Sequence, residues 1–354
     1  MKGVILHGGS GTRLRPLTYS GPKQLIPIAN KPASQYALED LKSIGIHEVA
    51  IILGQTFPEL VREYYGDGSR FGLSISFIQQ DEPRGIAHAI GLCEDFVGKD
   101  DFVVYLGDNI LQEGISGHAK SFVERKNDAM VLLKEVDDPS RFGVAEFDAY
   151  GKLVGLVEKP KNPPSRYAVV GVYFLRPSVF DSIRALKPSW RGELEVTDAI
   201  QGLIARGMDV GYSKVEGWWF DTGKKDDILY VNALVLDERA RADMQGESVN
   251  SRLEGRVQVS KGSKIVNSTV RGPVAIAEDC IIENSSIGPH TSIGKSSQIK
   301  GSHVEYCVVL EGSQIEGLQR LEESLIGKHS RIVQDTRNGH FLRVHLGDFS
   351  EVVL

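Results

Sequence analysis

The first two-thirds of the chain alternates short apolar runs with stretches of helical spacing. The runs are Gly3–Leu6, Val49–Leu53, Leu73–Phe77 and Phe102–Leu106, with Ser34–Ile44 and Phe57–Tyr65 among the helical stretches between them. Strand, helix, strand in this rhythm predicts a mostly parallel sheet covered on both faces. A second set, Ala129–Leu133, Gly143–Phe147, Val154–Glu158 and Val170–Leu175, is expected to extend the sheet and to wall one side of a cleft. Lys224 to Met244 reads as a helix that closes the unit.

Past about Val257 the pattern changes. An aliphatic residue recurs at Val259, Ile265, Val270, Ile276, Ile281, Ile287, Ile293, Ile299, Val304, Leu310 and Ile315, with Gly, Ser, Asn and Lys between. A period of about six is neither helical nor simple alternation, and it marks a parallel β-helix in which aliphatic side chains stack inside a triangular coil. The first spacings alternate between six and five, which predicts irregular corners. The boundary is expected between Met244 and Val257, giving domains 1–245 and 246–354. The tail from Arg337 to Leu354, with Phe341, Val344 and Leu346 apolar, is expected to cap the coil.

Length and composition narrow the classes. At 354 residues the chain is long enough for two domains. It is 41% hydrophobic and 25% charged, as globular proteins are. No run approaches the roughly 20 apolar residues of a membrane span. The first strand reaches glycines too soon for a secretory h-region, so the expected compartment is the cytoplasm. Cys93, Cys280 and Cys307 match no metal or redox spacing and read as small buried hydrophobes. A net charge of −6 argues against a general nucleic-acid binder but leaves room for a local basic site.

Such a site is offered directly after the first strand, by Gly8-Gly9-Ser10-Gly11-Thr12-Arg13-Leu14. Glycines let the backbone approach phosphates and aim N–H groups at them, and Arg13 adds a planar donor fork. A dinucleotide fingerprint fails because Leu14 takes the place of its third glycine. A Walker loop fails for lack of Gly-Lys-Ser/Thr. A plain turn would not need three glycines and an arginine after a buried strand. Lys23, held between Pro22 and Pro27, could aim its ammonium back at the phosphates, although taken alone it reads as a surface lysine. Asp108 follows the strand Phe102–Leu106, where ligands of open α/β sheets bind; it suits a Mg²⁺ ligand or an Asx-turn. His88 reads either as a helix residue facing the cleft or as a core histidine bonded to backbone.

GGSGTRLRPLT followed by PKQLIPIANKP resembles the signature of the sugar-1-phosphate nucleotidylyltransferases. Within them the chain is most similar to the long-form glucose-1-phosphate thymidylyltransferases, over nearly its whole length. The resemblance implies a Rossmann-like α/β nucleotidyltransferase domain followed by a left-handed parallel β-helix. One departure is His7, where the family usually has Ala.

The resemblance also implies roles. Gly8, Gly9, Gly11, Thr12 and Arg13 would bind the nucleotide phosphates. Gln80 would pair with the pyrimidine edge, where an amide offers a donor and an acceptor together, and the backbone of Gly85 would approach the base. Asp108 and Asp221 would hold Mg²⁺. Glu158 would bind sugar hydroxyls and Lys159 the sugar phosphate, though a Glu-Lys pair is otherwise unremarkable on a surface. Gly143, Val170 and Tyr173 would wall the sugar. Arg191, in Arg191-Gly192-Glu193-Leu194-Glu195-Val196-Thr197-Asp198, would reach a phosphate, unless this is an ordinary helix start capped by Thr197 and Asp198. Arg13, Lys23 and Lys159 would be catalytic, with dTTP and glucose 1-phosphate as substrates and neither nucleic acid nor membrane as partner.

Rival functions are another base or sugar, a non-catalytic binding subunit, and an acyltransferase in the coil that would use His290 or His303. Retention of Lys23, Asp108 and Asp221 weighs against the binding subunit. Neither histidine stands in a catalytic arrangement. The coil is expected to serve structure and subunit contact in a homo-oligomer, since stacked coils need caps or partners.

Overall fold

A computed structural model describes residues 1–9, 11–334 and 345–353. The chain divides into two compact units, one of Met1–Gly9 with Ser34–Asp221 and one of Ser10–Ala33 with Thr222–Leu354.

The first unit is built on a mixed sheet of nine strands among the described residues. Lys2–His7 lies at its centre, parallel to Glu48–Leu53 on one side and to Phe102–Leu106 on the other, and Ser74–Gln79 continues the parallel set. These strands are near-continuous aliphatic runs because helices cover both faces. Val4, Ile5, Val49, Ile51, Val103 and Val104 are fully buried. Beyond Phe102–Leu106 the sheet turns antiparallel through Tyr167–Leu175, Gly143–Phe147 and Leu153–Glu158. Ala129–Glu135 pairs with Tyr167–Leu175 and carries Val210–Lys214 on its other edge. A separate ribbon joins Asn109–Leu111 to Trp219–Asp221. The expected second set therefore does extend the first sheet.

The second unit holds the coil. Three sheets of seven, seven and five strands form its faces among the described residues, a left-handed parallel β-helix. Register columns run Val259, Ile276, Ile293, Val309, Ile326 and Ile265, Ile282, Ile299, Ile315, Ile332. Two positions differ from the expected series. Ile282 is fully buried where Ile281 was expected, and Val309 joins the stacked core where Leu310 was expected. With these in place the spacings are regular: each turn repeats after 17 residues, once after 16, as the bonds donated to the hydroxyls of Ser251, Ser268, Ser285 and Ser302 show. The uneven spacing comes from three unequal faces in each turn.

Corners are made by left-handed residues, Asn250, Asn267 and Asn284 in one column and Asp279, Ser296 and His329 in another. Asn and Asp tolerate this region because their side chains bond locally. The expected helix Lys224–Met244 is shorter, Lys225–Arg239, because Ala240 is extended and Asp243–Met244 already pairs as a coil strand with Val257–Val259. Of the tail, Leu346 packs against the coil core, while Phe341 and Val344 lie outside the described residues. Among the described residues no helix is long and apolar enough to cross a membrane.

Candidate active site

In the first unit, strand ends and the connections after them gather most of the expected residues. A cavity of about 160 Å³ is lined by Asn109, Gly143, Glu158, Lys159, Gly171, Tyr173, Thr197 and Asp221, among others. Val169 and Gly171 line it; fully buried Val170, between them, does not. Gly143 is required here: a Cβ would lie 2.7 Å from Thr197 and 3.4 Å from a Glu158 oxygen.

Glu158 is the centre of a dense charge cluster. Thr197 donates to its Oε2 at 3.2 Å, and Lys159 and Arg191 stand 3.7 and 3.6 Å from its Oε1. Burial first, then the neighbouring Glu195 carboxylate, raises the Glu158 pKa despite these partners. Arg191 is engaged by further carboxylates, donating to Glu193 at 2.8 Å and to Glu195 at 3.2 Å, and Ser189 adds a bond to Glu195. Thr197 and Asp198 do not cap the following helix, Val196–Ala205, whose N-cap is Glu195. Thr197 instead faces Glu158, and burial raises the pKa of Asp198. Lys159 has a left-handed backbone, φ 43°, fixed by a bond from its N–H to the Phe142 carbonyl at 2.9 Å.

Asn109 ties the opposite wall together. Its Oδ1 accepts from the Trp219 indole at 2.6 Å and from the Gly171 N–H at 3.3 Å, and its Nδ2 donates to Asp108 at 2.9 Å. Asp221 sits directly across the ribbon from Asn109, the residue that follows Asp108. Sequence reading passed over Asn109 and Trp219, and took Thr197 only for a helix cap. Two of the Asn109 partners lie 62 and 110 residues away, beyond the reach of a local signal.

The Gln80 pocket is equally ordered. Gln80 is 5% exposed, and its Nε2 lies 3.0 Å from His88 Nδ1 and 3.4 Å from the Gly85 carbonyl. Burial, then the nearby Arg84, lowers the His88 pKa and so favours the neutral ring, whose bare Nδ1 can accept from the amide. His88 thus bonds a side chain across the pocket rather than backbone. The Gln80 Oε1 lies 3.6 Å from where a side chain on Gly8 would begin. Gly85 has φ 108°, and a Cβ there would meet the Leu194 carbonyl at 2.4 Å. His7 is buried with its ring edge-on to Tyr65 at 5.8 Å.

Gly11, Thr12, Arg13 and Lys23 belong to the second unit. Gly11 is left-handed, with space for a Cβ only 2.8 Å from Thr18 and 3.3 Å from Lys23, and the Thr18 hydroxyl donates to its carbonyl at 2.8 Å. The glycine turn and Lys23 are therefore packed into one piece of chain. Arg13 is exposed in the 3₁₀ turn Thr12–Leu14, and Lys23 opens the turn Lys23–Leu25. In the coil, His290 pairs with Asp237 at 3.0 Å and His303 stands 3.5 Å from Glu305.

A mixed sheet with a parallel centre, a glycine turn and Asp108 after two of its central strands, and a cavity lined by Glu158, Lys159 and Asp221 fit a nucleotide-handling enzyme. The family model for nucleotidyl transferases matches residues 2–238, and the chain belongs to that family. It is 50% identical over 334 residues to the low-salt glycan biosynthesis nucleotidyltransferase Agl11 of Haloferax volcanii, covering 94% of each chain. It is 44% identical over 353 residues to the glucose-1-phosphate thymidylyltransferase of Streptomyces antibioticus, covering 99% of each. Among solved structures, a Bacillus anthracis protein assigned as a glucose-1-phosphate thymidylyltransferase matches with TM-score 0.62 and 44% identity, over 66% of this chain and 94% of its own.

Proposed function

We propose that the protein is a glucose-1-phosphate thymidylyltransferase that makes dTDP-glucose and pyrophosphate from dTTP and α-D-glucose 1-phosphate. The observation that carries this reading is the match, at 44% identity, to the S. antibioticus thymidylyltransferase over 99% of both chains. The cavity around Glu158 and Lys159 supports it from the side of the site.

The reaction forms one P–O bond and breaks another. A phosphate oxygen of the sugar attacks the α-phosphorus in line, and pyrophosphate leaves. The sugar phosphate is already an anion, so no general base is required. The obstacle is bringing two anions together, which positioned cations overcome. Gly8, Gly9, Gly11 and Thr12 cradle the triphosphate, and Arg13 holds the departing phosphates. Lys23 steadies the β- and α-phosphates as charge develops, and Lys159 holds the attacking phosphate. Glu158, placed by Thr197, accepts from sugar hydroxyls, with Gly143, Tyr173 and the strand at Val170 as wall. Arg191 reaches the phosphate side through its carboxylate cluster. Gln80 and Gly85 take the base.

Asp108 and Asp221 would hold Mg²⁺. Both offer only oxygen ligands, and Asp221 pairs across the ribbon with Asn109, the neighbour of Asp108. No group of three or more potential ligands occurs among the described residues, and Mg²⁺ characteristically completes its shell with water and substrate phosphates. When bound it would neutralise charge on the phosphates. We further infer a catalytic domain 1–245, a coil domain 246–354 and a cytoplasmic homo-oligomer.

The test is pyrophosphate release with Mg²⁺ from a panel of NTPs crossed with sugar 1-phosphates. dTTP with glucose 1-phosphate is expected to give the highest kcat/KM. A clear preference for UTP would move the protein to uridylyl transfer, and no release from any pair would overturn the reading.

A further inference from the structure

The loop 11–33, which carries Arg13 and Lys23, has little structure of its own. It consists of three-residue 3₁₀ turns and one two-residue strand pair, Pro27–Ile28 with Lys31–Pro32. Such short turns hold geometry weakly. Transfer chemistry tolerates little error, since a displacement of about 1 Å can cost about a hundredfold in rate. Something must hold this loop, and within the second unit the coil does so from two ends.

At one end Asn30 donates through its Nδ2 to two carbonyls, Ala275 and Ile293, at 3.1 Å each. These belong to adjacent rungs, Val274–Ile276 and Thr291–Ile293. The Ile293 carbonyl already accepts a coil bond from Ala277, so Asn30 uses its second lone pair. Beside it, Asn232 is 0% exposed and fully engaged. It accepts from the Ala29 N–H at 2.8 Å and from the Ser292 hydroxyl at 2.9 Å, and donates to the His290 carbonyl at 3.1 Å. Ala29 and Asn30 take left-handed backbones at this contact. A buried amide satisfied on both sides fixes one arrangement and penalises others. At the other end Ser20 donates to Asp348 at 2.8 Å, whose second oxygen accepts from the Lys328 N–H. Pro16 lies against Gly347, where a Cβ would meet it at 3.1 Å.

We propose that the coil is the platform that sets the phosphate loop, with Asn30 and Asn232 as positioning residues for nucleotidyl transfer. The coil thereby takes part in the reaction without touching substrate. The effect on turnover rests on the function proposed above; the bracing does not.

The test uses the full-length Asn30→Asp variant, which keeps the shape but turns an oxygen towards two carbonyls. Expected are a kcat lower by at least about tenfold, KM for glucose 1-phosphate within about twofold, and amide hydrogen exchange in residues 11–33 faster by at least about tenfold, with residues 257–333 unchanged. Asn30→Gln, which keeps the donors, is expected to restore most of the protection. Unchanged exchange in the loop, or faster exchange with a wild-type kcat, would overturn the proposal. Should Asn30→Asp disturb the coil itself, Ser20→Ala decides: faster exchange around residue 20 with a kcat reduced about threefold supports the platform, and wild-type values in both overturn it. A wild-type protein inactive on dTTP would sink the functional reading, while the exchange data would still decide the bracing.

Discussion

In the coil, each rung repeats the one below it. In the α/β unit, no two strand ends are alike. The coil stacks Ile265, Ile282, Ile299, Ile315 and Ile332 in one column, and its serines bond rung to rung in the same way each time. In the α/β unit one strand end carries the Gly8-Gly9 turn, another Asp108, and a third Glu158 and Lys159. Repetition spreads stability over many equivalent positions. Irregularity concentrates chemistry at a few. Substitutions in the two regions should therefore fail in different currencies, stability in one and turnover in the other.

The largest effect expected in the stability currency is Ile299→Ala. The side chain is fully buried between Ile282 and Ile315, and large-to-small changes of this kind cost about 2–5 kcal/mol. Urea melts followed by circular dichroism should show the coil transition moving to lower denaturant while kcat at 25 °C stays within about twofold. A kcat that falls with the folded fraction intact would erase the distinction between the regions. Next come Lys23→Ala and Asp108→Asn, expected to lower kcat by at least about a hundredfold, about 2.7 kcal/mol, with the melting curve unmoved. Near-normal turnover in both would remove the roles assigned to them.

What the sequence made legible follows the same divide. Aliphatic runs announced the parallel strands because both faces are covered, and the six-five pattern announced the coil. Where it slipped, at Ile281 and Leu310, adjacent aliphatics made the inward residue ambiguous, and only the ladder register chose Ile282 and Val309. The glycine turn and Asp108 stood out because each follows a buried strand, whereas Glu158 and Lys159 were legible only through the family resemblance. Hidden were the contacts made at long range. Asn30 reaches carbonyls 245 and 263 residues away, and nothing near it signals that the loop 11–33 groups with the coil. Arg191 was read as reaching a phosphate, yet Glu193 and Glu195 of its own motif and distant Glu158 surround it.

The Gln80 pocket allows a finer test, because it depends on orientation rather than presence. In the role proposed for Gln80, an amide nitrogen held by His88 leaves the oxygen for the base, which suits the imide N–H of thymine or uracil and opposes the bare N3 of cytosine. His88→Leu frees the amide to turn. The preference for dTTP over dCTP, read as a ratio of Kd values, is expected to fall by about threefold to tenfold, the worth of one neutral hydrogen bond. His88→Asn keeps an acceptor and should hold the ratio. An unchanged ratio in His88→Leu would mean the pocket selects by shape.

Smallest in size, and opposite in sign, is Glu158→Gln. Burial and the Glu195 carboxylate raise the pKa of Glu158, so the fold favours its protonated form even with Lys159, Thr197 and Arg191 beside it. Its contribution to stability is fully present below the unfolded-state pKa of about 4.3 and is lost as pH rises through the raised folded value. An amide at this position has no charge to lose. The variant should therefore melt level with the wild type near the acid end of the stable range and above it at neutral pH, the gap opening as Glu158 ionises. Turnover should move the other way, since the amide accepts more weakly from sugar hydroxyls than a carboxylate does. A carboxylate kept charged against the preference of the fold, at the point where a sugar would lie, is a trade of stability for binding. Thermal melts from about pH 4.5 to 8 on both proteins decide it: a gap that closes towards neutrality would show that the Lys159 and Arg191 cations, not burial, govern this carboxylate, and a constant gap that the two cancel.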